Sequence, residues 1–263
     1  MKLFVAAVLV LTLALAGCNA LPTESVDDAP PADTAPSMST PAPAGTPAAT
    51  ATAAPASPTA ASSICGGGSL EGCFAYSQMN DYLDAITPMV AQFFETTYPR
   101  VSLPEVAFIP SGRVAHEACG LGESDAYEYC DADQTIYIGQ DLLWAFYKQA
   151  GDAAPAIGLA HEWGHHLQAE LGVPIARTAS QSVTYENQAD CISGAWARYA
   201  GEQGWLEPND DLQDVQTLLQ NIGSREGPGR DHGTTAEREQ AFNAAFDGGI
   251  AACDAYSPGT PVG

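Results

Sequence analysis

His161-Glu162-Trp163-Gly164-His165 is the stretch on which the reading of this chain turns. It lies inside a run from Ala154 to Leu171 whose spacing predicts a helix, closed by Gly172 and Pro174. Two histidines four residues apart on a helix project from one face, one turn apart. Both imidazoles can then reach a single Zn²⁺ at about 2.0–2.1 Å. Glu162 stands beside them and reaches a water on the metal rather than the metal itself. The expectation is one zinc per chain, with His161 and His165 as ligands and Glu162 catalytic.

Zinc needs a third protein ligand, and the chain offers few histidines for it. There are five: His116, His161, His165, His166 and His232. The metzincin pattern needs a Gly and then a His after the second ligand. Those positions hold Gln168 and Leu171, so that pattern fails. An acidic ligand fits better. Tyr185-Glu186-Asn187-Gln188-Ala189-Asp190 lies on the next predicted helix, and its Glu186 and Asp190 are four apart and share a face. Glu186 is the expected third ligand. Asp190 is expected to accept the spare N–H of a liganding histidine and so fix its tautomer. His166 points about 100° away from His165 and reads as a packing residue. His116 reads as a loop residue.

Around this site the pattern is helix-rich. Asp81 to Thr97 carries an apolar stripe of Leu83, Ile86, Val90 and Phe94, with a break or restart expected at Thr87-Pro88. Glu105 to Ile109 and Thr135 to Ile138 read as short strands, the second as an edge able to pair with an extended peptide. Further helices are expected over Gln140–Gln149, from about Ser180 to Ala200, and from Leu206-Glu207-Pro208 to about Ile222. Thr234-Thr235-Ala236-Glu237 is a capping box opening a last helix with Phe242 and Phe246 one turn apart. The fold class is therefore α+β with a small sheet.

Composition divides the chain into zones. Residues 1–17 read as a signal peptide, with Lys2 before an apolar run from Leu3 to Ala16. Leu15-Ala16-Gly17-Cys18 resembles the bacterial lipobox, so Cys18 is expected to carry lipid and anchor an exported protein to a membrane. Residues 18–64 hold nine of the nineteen prolines among Ala, Thr and Ser, too little apolar surface to fold. At roughly 3.1 Å per residue, such a tether spans about 140 Å. Residues 65–263 hold every Trp and all ten Tyr and form the predicted domain.

The whole chain has nine basic and 32 acidic residues, a net charge of −23. The domain alone carries eight and 28, so its net −20 is not a tail effect. Such a polyanion excludes nucleic-acid binding by phosphate neutralisation. The chain past the signal has no stretch for a membrane span, so contact with a membrane is expected only through the N-terminal lipid. A monomer acting on a peptide or protein substrate outside the cytoplasm is the expected unit.

With Cys18 lipidated, six cysteines remain, and six allow fifteen pairings. Local pairing favours Cys65–Cys73 and Cys119–Cys130, which leaves Cys191–Cys253. Export into an oxidising compartment favours disulfides over thiols.

At this point a resemblance becomes specific. The run from His161 to Gln168, followed by Glu186-Asn187-Gln188-Ala189-Asp190-Cys191, resembles the bacterial neutral zinc metallopeptidase family. Cys119-Gly120, the run Tyr129 to Tyr137, His232-Gly233-Thr234-Thr235, Arg238 and Cys253 match it too. The resemblance implies a zincin-like fold and a gluzincin-like endopeptidase. It also implies ligands His161, His165 and Glu186, catalytic Glu162, and the pairings of Cys119 with Cys130 and Cys191 with Cys253. Trp163 stands where a smaller aliphatic residue is usual, a departure that bears on substrate preference. His232, just before a helix N-terminus, is the candidate oxyanion stabiliser, ahead of Tyr137 and Tyr185. The competing readings are a non-catalytic surface lipoprotein with a structural or vestigial zinc site, and a zinc-delivery lipoprotein. An intact Glu162 argues against the first, and a count of only five histidines against the second.

Overall fold

The computed structural model describes residues 70–263, apart from 208, 209, 226, 228 and 258. The expected signal peptide, Cys18, the tether and Cys65 with its proposed bond to Cys73 lie outside the described residues.

The first long helix, α1 (Met79–Thr97), buries Tyr82, Leu83, Ile86, Val90, Phe93 and Phe94 on one face. Pro88 does not break it, contrary to expectation. Pro88 cannot donate to the carbonyl of Asp84, but both residues are exposed, so the lost bond does not leave a buried group unpaired.

Five strands follow: β1 (Glu105–Ile109), β2 (Ala115–Glu117), β3 (Gly120–Gly122), β4 (Tyr127–Cys130) and β5 (Thr135–Gly139). β2 and β3 form a small antiparallel hairpin of their own. His116 thus lies on a strand and not in a loop. The main sheet has the order β1-β5-β4, with β1 parallel and β4 antiparallel to β5. β5 is therefore the central strand. Its fully apolar core positions Ile136 and Ile138 explain why. The edge expected at Thr135–Ile138 is instead supplied by β4, because both sides of β5 are already paired.

Helix α2 (Gln140–Gln149) follows β5 directly. α3 (Ala154–Glu170) runs through the core and is buried on nearly all sides, as its weak polar face suggests. Trp163 is fully buried against Phe94, with ring centroids 5.0 Å apart. It packs the core, so its departure from the family pattern does not line the site. α4 (Ala179–Glu202) is capped by the Thr178 hydroxyl, which accepts from the Gln181 amide.

α5 (Asp211–Ile222) starts later than Leu206. At its start the Glu207 amide donates to the Asp211 carboxylate. The predicted capping box is present: Thr234 and Glu237 satisfy each other's amides and open α6 (Thr235–Gly248). Phe242 and Phe246 stack along it. A short 3₁₀ segment, Ile250–Tyr256, closes the core. Cys119–Cys130 pins the small hairpin to β4, and Cys191–Cys253 ties α4 to the closing segment. No helix among the described residues is long and apolar enough to cross a membrane. The whole is the helix-rich α+β, zincin-like arrangement expected from the sequence.

Candidate metal centre

The site forms where α3 crosses α4. Gly164 sits at the crossing: a Cβ there would come within 3.1 Å of the Ala189 Cα. Its absence lets α4 approach closely enough for Glu186 to reach the histidines. His161 and His165, one turn apart on α3, hold their rings nearly perpendicular, with centroids 4.7 Å apart.

Three donor atoms converge. The Nε2 atoms of His161 and His165 are 3.1 Å apart, and the Glu186 carboxylate faces both, with Oε2 3.3 Å from the first and Oε1 3.5 Å from the second. Donors about 2.0–2.1 Å from a shared tetrahedral centre are separated by roughly 3.3–3.4 Å. The spacing and the two-nitrogen, one-oxygen donor set therefore fit zinc. Glu162 is buried next to these atoms but is outside the donor group.

Each imidazole is fixed from behind. His161 Nδ1 lies 2.9 Å from Asp190 Oδ1. Asp190 in turn accepts two bonds from Arg238, at 2.9 and 2.8 Å. His165 Nδ1 lies 2.8 Å from Gln168 Oε1. The Gln168 amide nitrogen donates to the Tyr185 carbonyl and to Gln188 Oε1, so its oxygen faces His165. In both histidines Nδ1 donates and Nε2 is left for an ion. Tyr185 stacks flat on His165, with ring centroids 5.2 Å apart.

The charges follow from this packing. Burial alone would discharge the imidazoles, but the carboxylates outweigh it. Without an ion, His161 is pushed up to about 10 by Asp190, Glu186 and Glu162. His165 is raised chiefly by Glu186. Burial opposes ionised Glu186 and Asp190 as well. His165 and His161 nonetheless hold Glu186 well below the usual range, and Arg238 and His161 lower Asp190. Glu162 goes the other way: burial, and then the charge of Glu186, raise it despite the two histidines. A carboxyl raised in this way suits proton transfer near neutral pH.

His232 reaches the site from the loop before α6. Its Nε2 is 3.5 Å from Glu186, and its Nδ1 is 3.0 Å from Asp231. It is not one of the three converging donors. Gly233 allows the approach, because a Cβ there would fall 2.3 Å from the Asn187 side-chain oxygen. His166 is buried and bridges Tyr129 and Ser102. Tyr137, on the central strand, donates to Asp133.

Sequence reasoning reached Gln168 and Arg238 only as parts of the family pattern and gave neither a role. The place of Gln168 three residues after His165 is a helix-neighbour signal for its bond to that ring. Arg238 carried no local signal, being 48 residues from Asp190.

A family described as "Putative neutral zinc metallopeptidase" matches residues 76–256. The "Uncharacterized protein YpfJ" of Escherichia coli K12 is 36% identical over 160 residues, covering 50% of this chain and 54% of its own length. The "Uncharacterized protein Rv2575" of Mycobacterium tuberculosis H37Rv is 32% identical over 179 residues, covering 56% of this chain and 60% of its own. The chain thus spans a little over half the length of these relatives. No solved structure matches.

Proposed function

The chain belongs to the family of putative neutral zinc metallopeptidases, and from that membership we propose that it hydrolyses peptide bonds with water, using a single zinc ion. His161, His165 and Glu186 would hold the ion, and Glu162 would carry the proton. The observation that bears most weight is the placement of Glu162: buried beside the three donors, raised in pKa, and bonded to none of them. A purely structural zinc site has no use for such a carboxyl.

Zinc, when bound, supplies an electrophile for the peptide carbonyl and a water whose pKa is lowered to about 7. Glu162 accepts the proton of the attacking water and returns it to the leaving amine. Its Oε2 is held at 2.9 Å by the Tyr129 amide, so the carboxylate enters the reaction already oriented. His232 Nε2, at the rim beside Glu186, is the group able to donate to the carbonyl oxygen as charge develops there. β4, at the edge of the sheet and packed on α3, is the strand along which an extended substrate would lie, pairing through outward groups other than the Tyr129 amide that Glu162 holds.

Export, and anchoring of a monomer through Cys18, belong to the same reading and rest on the sequence of residues 1–64. Cys18→Ser should move the chain from the membrane to the soluble fraction. The function is tested with a peptide library, with and without a chelator. Cleavage that stops on chelation and returns with zinc is expected; chelator-insensitive cleavage, or none with zinc bound, defeats the proposal.

A further inference from the structure

The run His161-Glu162-Trp163-Gly164-His165-His166 contains two pairs at helical spacing, not one. His161 and His165 form the metal face of α3. Glu162 and His166 are also four apart, and they form a second stripe beside it. Both ends of one residue on β4 meet this second stripe. The Tyr129 amide donates to Glu162 Oε2 at 2.9 Å, and its hydroxyl lies 3.1 Å from His166 Nδ1.

The protons are settled by the far side of the ring. His166 Nε2 is 2.7 Å from the Ser102 carbonyl, which can only accept. Nε2 therefore carries a hydrogen, and in the neutral ring Nδ1 accepts from the Tyr129 hydroxyl. His166 is 1% exposed, and its ring meets the Tyr129 ring edge-on at 5.3 Å. The amide has no partner in the sheet to compete for it. β4 is an edge strand, paired only with β5, and the Tyr129 amide points away from that partner. Such a group normally donates to water or to an added strand. Here it donates to the carboxylate next to the first metal donor.

We propose that Tyr129 and His166 are positioning residues for Glu162: the hydroxyl-to-imidazole bond clamps edge strand β4 against α3, and the clamped strand holds the Glu162 carboxylate through its backbone amide. The effect on the reaction rests on the proposed role of Glu162; the clamp itself does not. Loss of the hydroxyl frees the strand by a fraction of an ångström. The two histidine donors, which lie on the other stripe, and Glu186 on α4 stay where they are.

Tyr129→Phe removes the hydroxyl and keeps the ring and the amide. On the full chain, it should retain zinc, while kcat falls roughly 10- to 100-fold. Hydrogen exchange of the residue-129 amide, read at single-residue resolution, should speed up about fivefold or more. In Glu162→Ala the same amide should lose its protection as well. These two exchange measurements need no catalysis. If no peptide is cleaved by the wild type, the function fails while the clamp is still decided. Residue-129 exchange unchanged in either variant overturns the clamp, even if kcat falls, because Tyr129 would then act through substrate. Zinc loss in Tyr129→Phe also overturns it, since the hydroxyl would then be supporting the fold at large.

Discussion

Arg238 meets Asp190 with two hydrogen bonds, at 2.9 and 2.8 Å, and both residues are almost wholly buried, at 4% and 2% exposure. A buried carboxylate is costly unless it is paired. Asp190 must nonetheless stay ionised to accept from His161, and Arg238 allows it to. Arg238→Met should therefore destabilise the zinc-free protein by about 3–5 kcal/mol. It should also weaken zinc binding roughly 10- to 100-fold. The double variant with Asp190→Asn should recover part of the stability. Denaturant melts of the chelated protein and a zinc competition titration separate the two effects. A single variant as stable as wild type would mean that the pair carries no such role.

Zinc binding should expel protons. Without an ion, His161 lies at about 10 and is protonated at pH 7, while His165 is raised by Glu186. An ion requires both Nε2 atoms bare. Loading zinc at pH 7 should release roughly one to two protons per chain, read with an indicator dye in weak buffer. Affinity should fall as the pH falls. Proton release near zero would show that the metal-free histidines are neutral.

The pocket around Asp211 predicts an opposite pH trend in stability. Burial, then the neighbouring charges of Asp152, Asp214 and Glu207, push Asp211 up to about 7, against the Glu207 amide bond. Asp214 is raised to about 6 for similar reasons. A carboxyl raised on folding adds stability below its unfolded pKa of about 4, and this is lost as pH rises through the folded value. Asp211→Asn keeps an acceptor for the Glu207 amide and removes the charge. It should raise Tm at pH 8 by roughly 2–4 °C, on the scale of about 1 kcal/mol, with the gain shrinking towards pH 5. Equal melting curves at pH 8 would contradict this.

Gly233 should behave as part of the His232 loop. Gly233→Ala drives a methyl against Asn187, whose side-chain oxygen is buried without a hydrogen-bond partner among the described residues. It should cost about 1–3 kcal/mol of stability. It should also lower kcat about as much as His232→Ala does, roughly 100-fold, with zinc retained in both. A full-rate Gly233→Ala enzyme would detach the loop from the reaction.

Much of this was readable from local pattern. The spacing of His161, Glu162 and His165 and that of Glu186 and Asp190 anticipate the two crossing helices, because a helix face is a local property. The capping box at Thr234 is likewise complete within four residues. The misses are non-local. That β5 is central depends on which strands pair with it, and Thr135–Ile138 reads the same at an edge or in the middle. Pro88 was expected to interrupt α1, but the damage depends on whether the Asp84 carbonyl faces water. Arg238 and Tyr129 act across 48 and 33 residues, through a guanidinium and a backbone amide whose direction no local pattern encodes.

The central claim is that Glu162 moves the proton while His161, His165 and Glu186 hold the metal. Glu162→Gln removes the base and leaves the donors untouched. Metal content and peptide hydrolysis should be measured on the same preparation, beside the wild type. The account predicts one zinc per chain in both and hydrolysis in the wild type alone, with a loss of at least about a hundredfold in the variant. A Glu162→Gln protein that keeps its zinc and cleaves at the wild-type rate would contradict it.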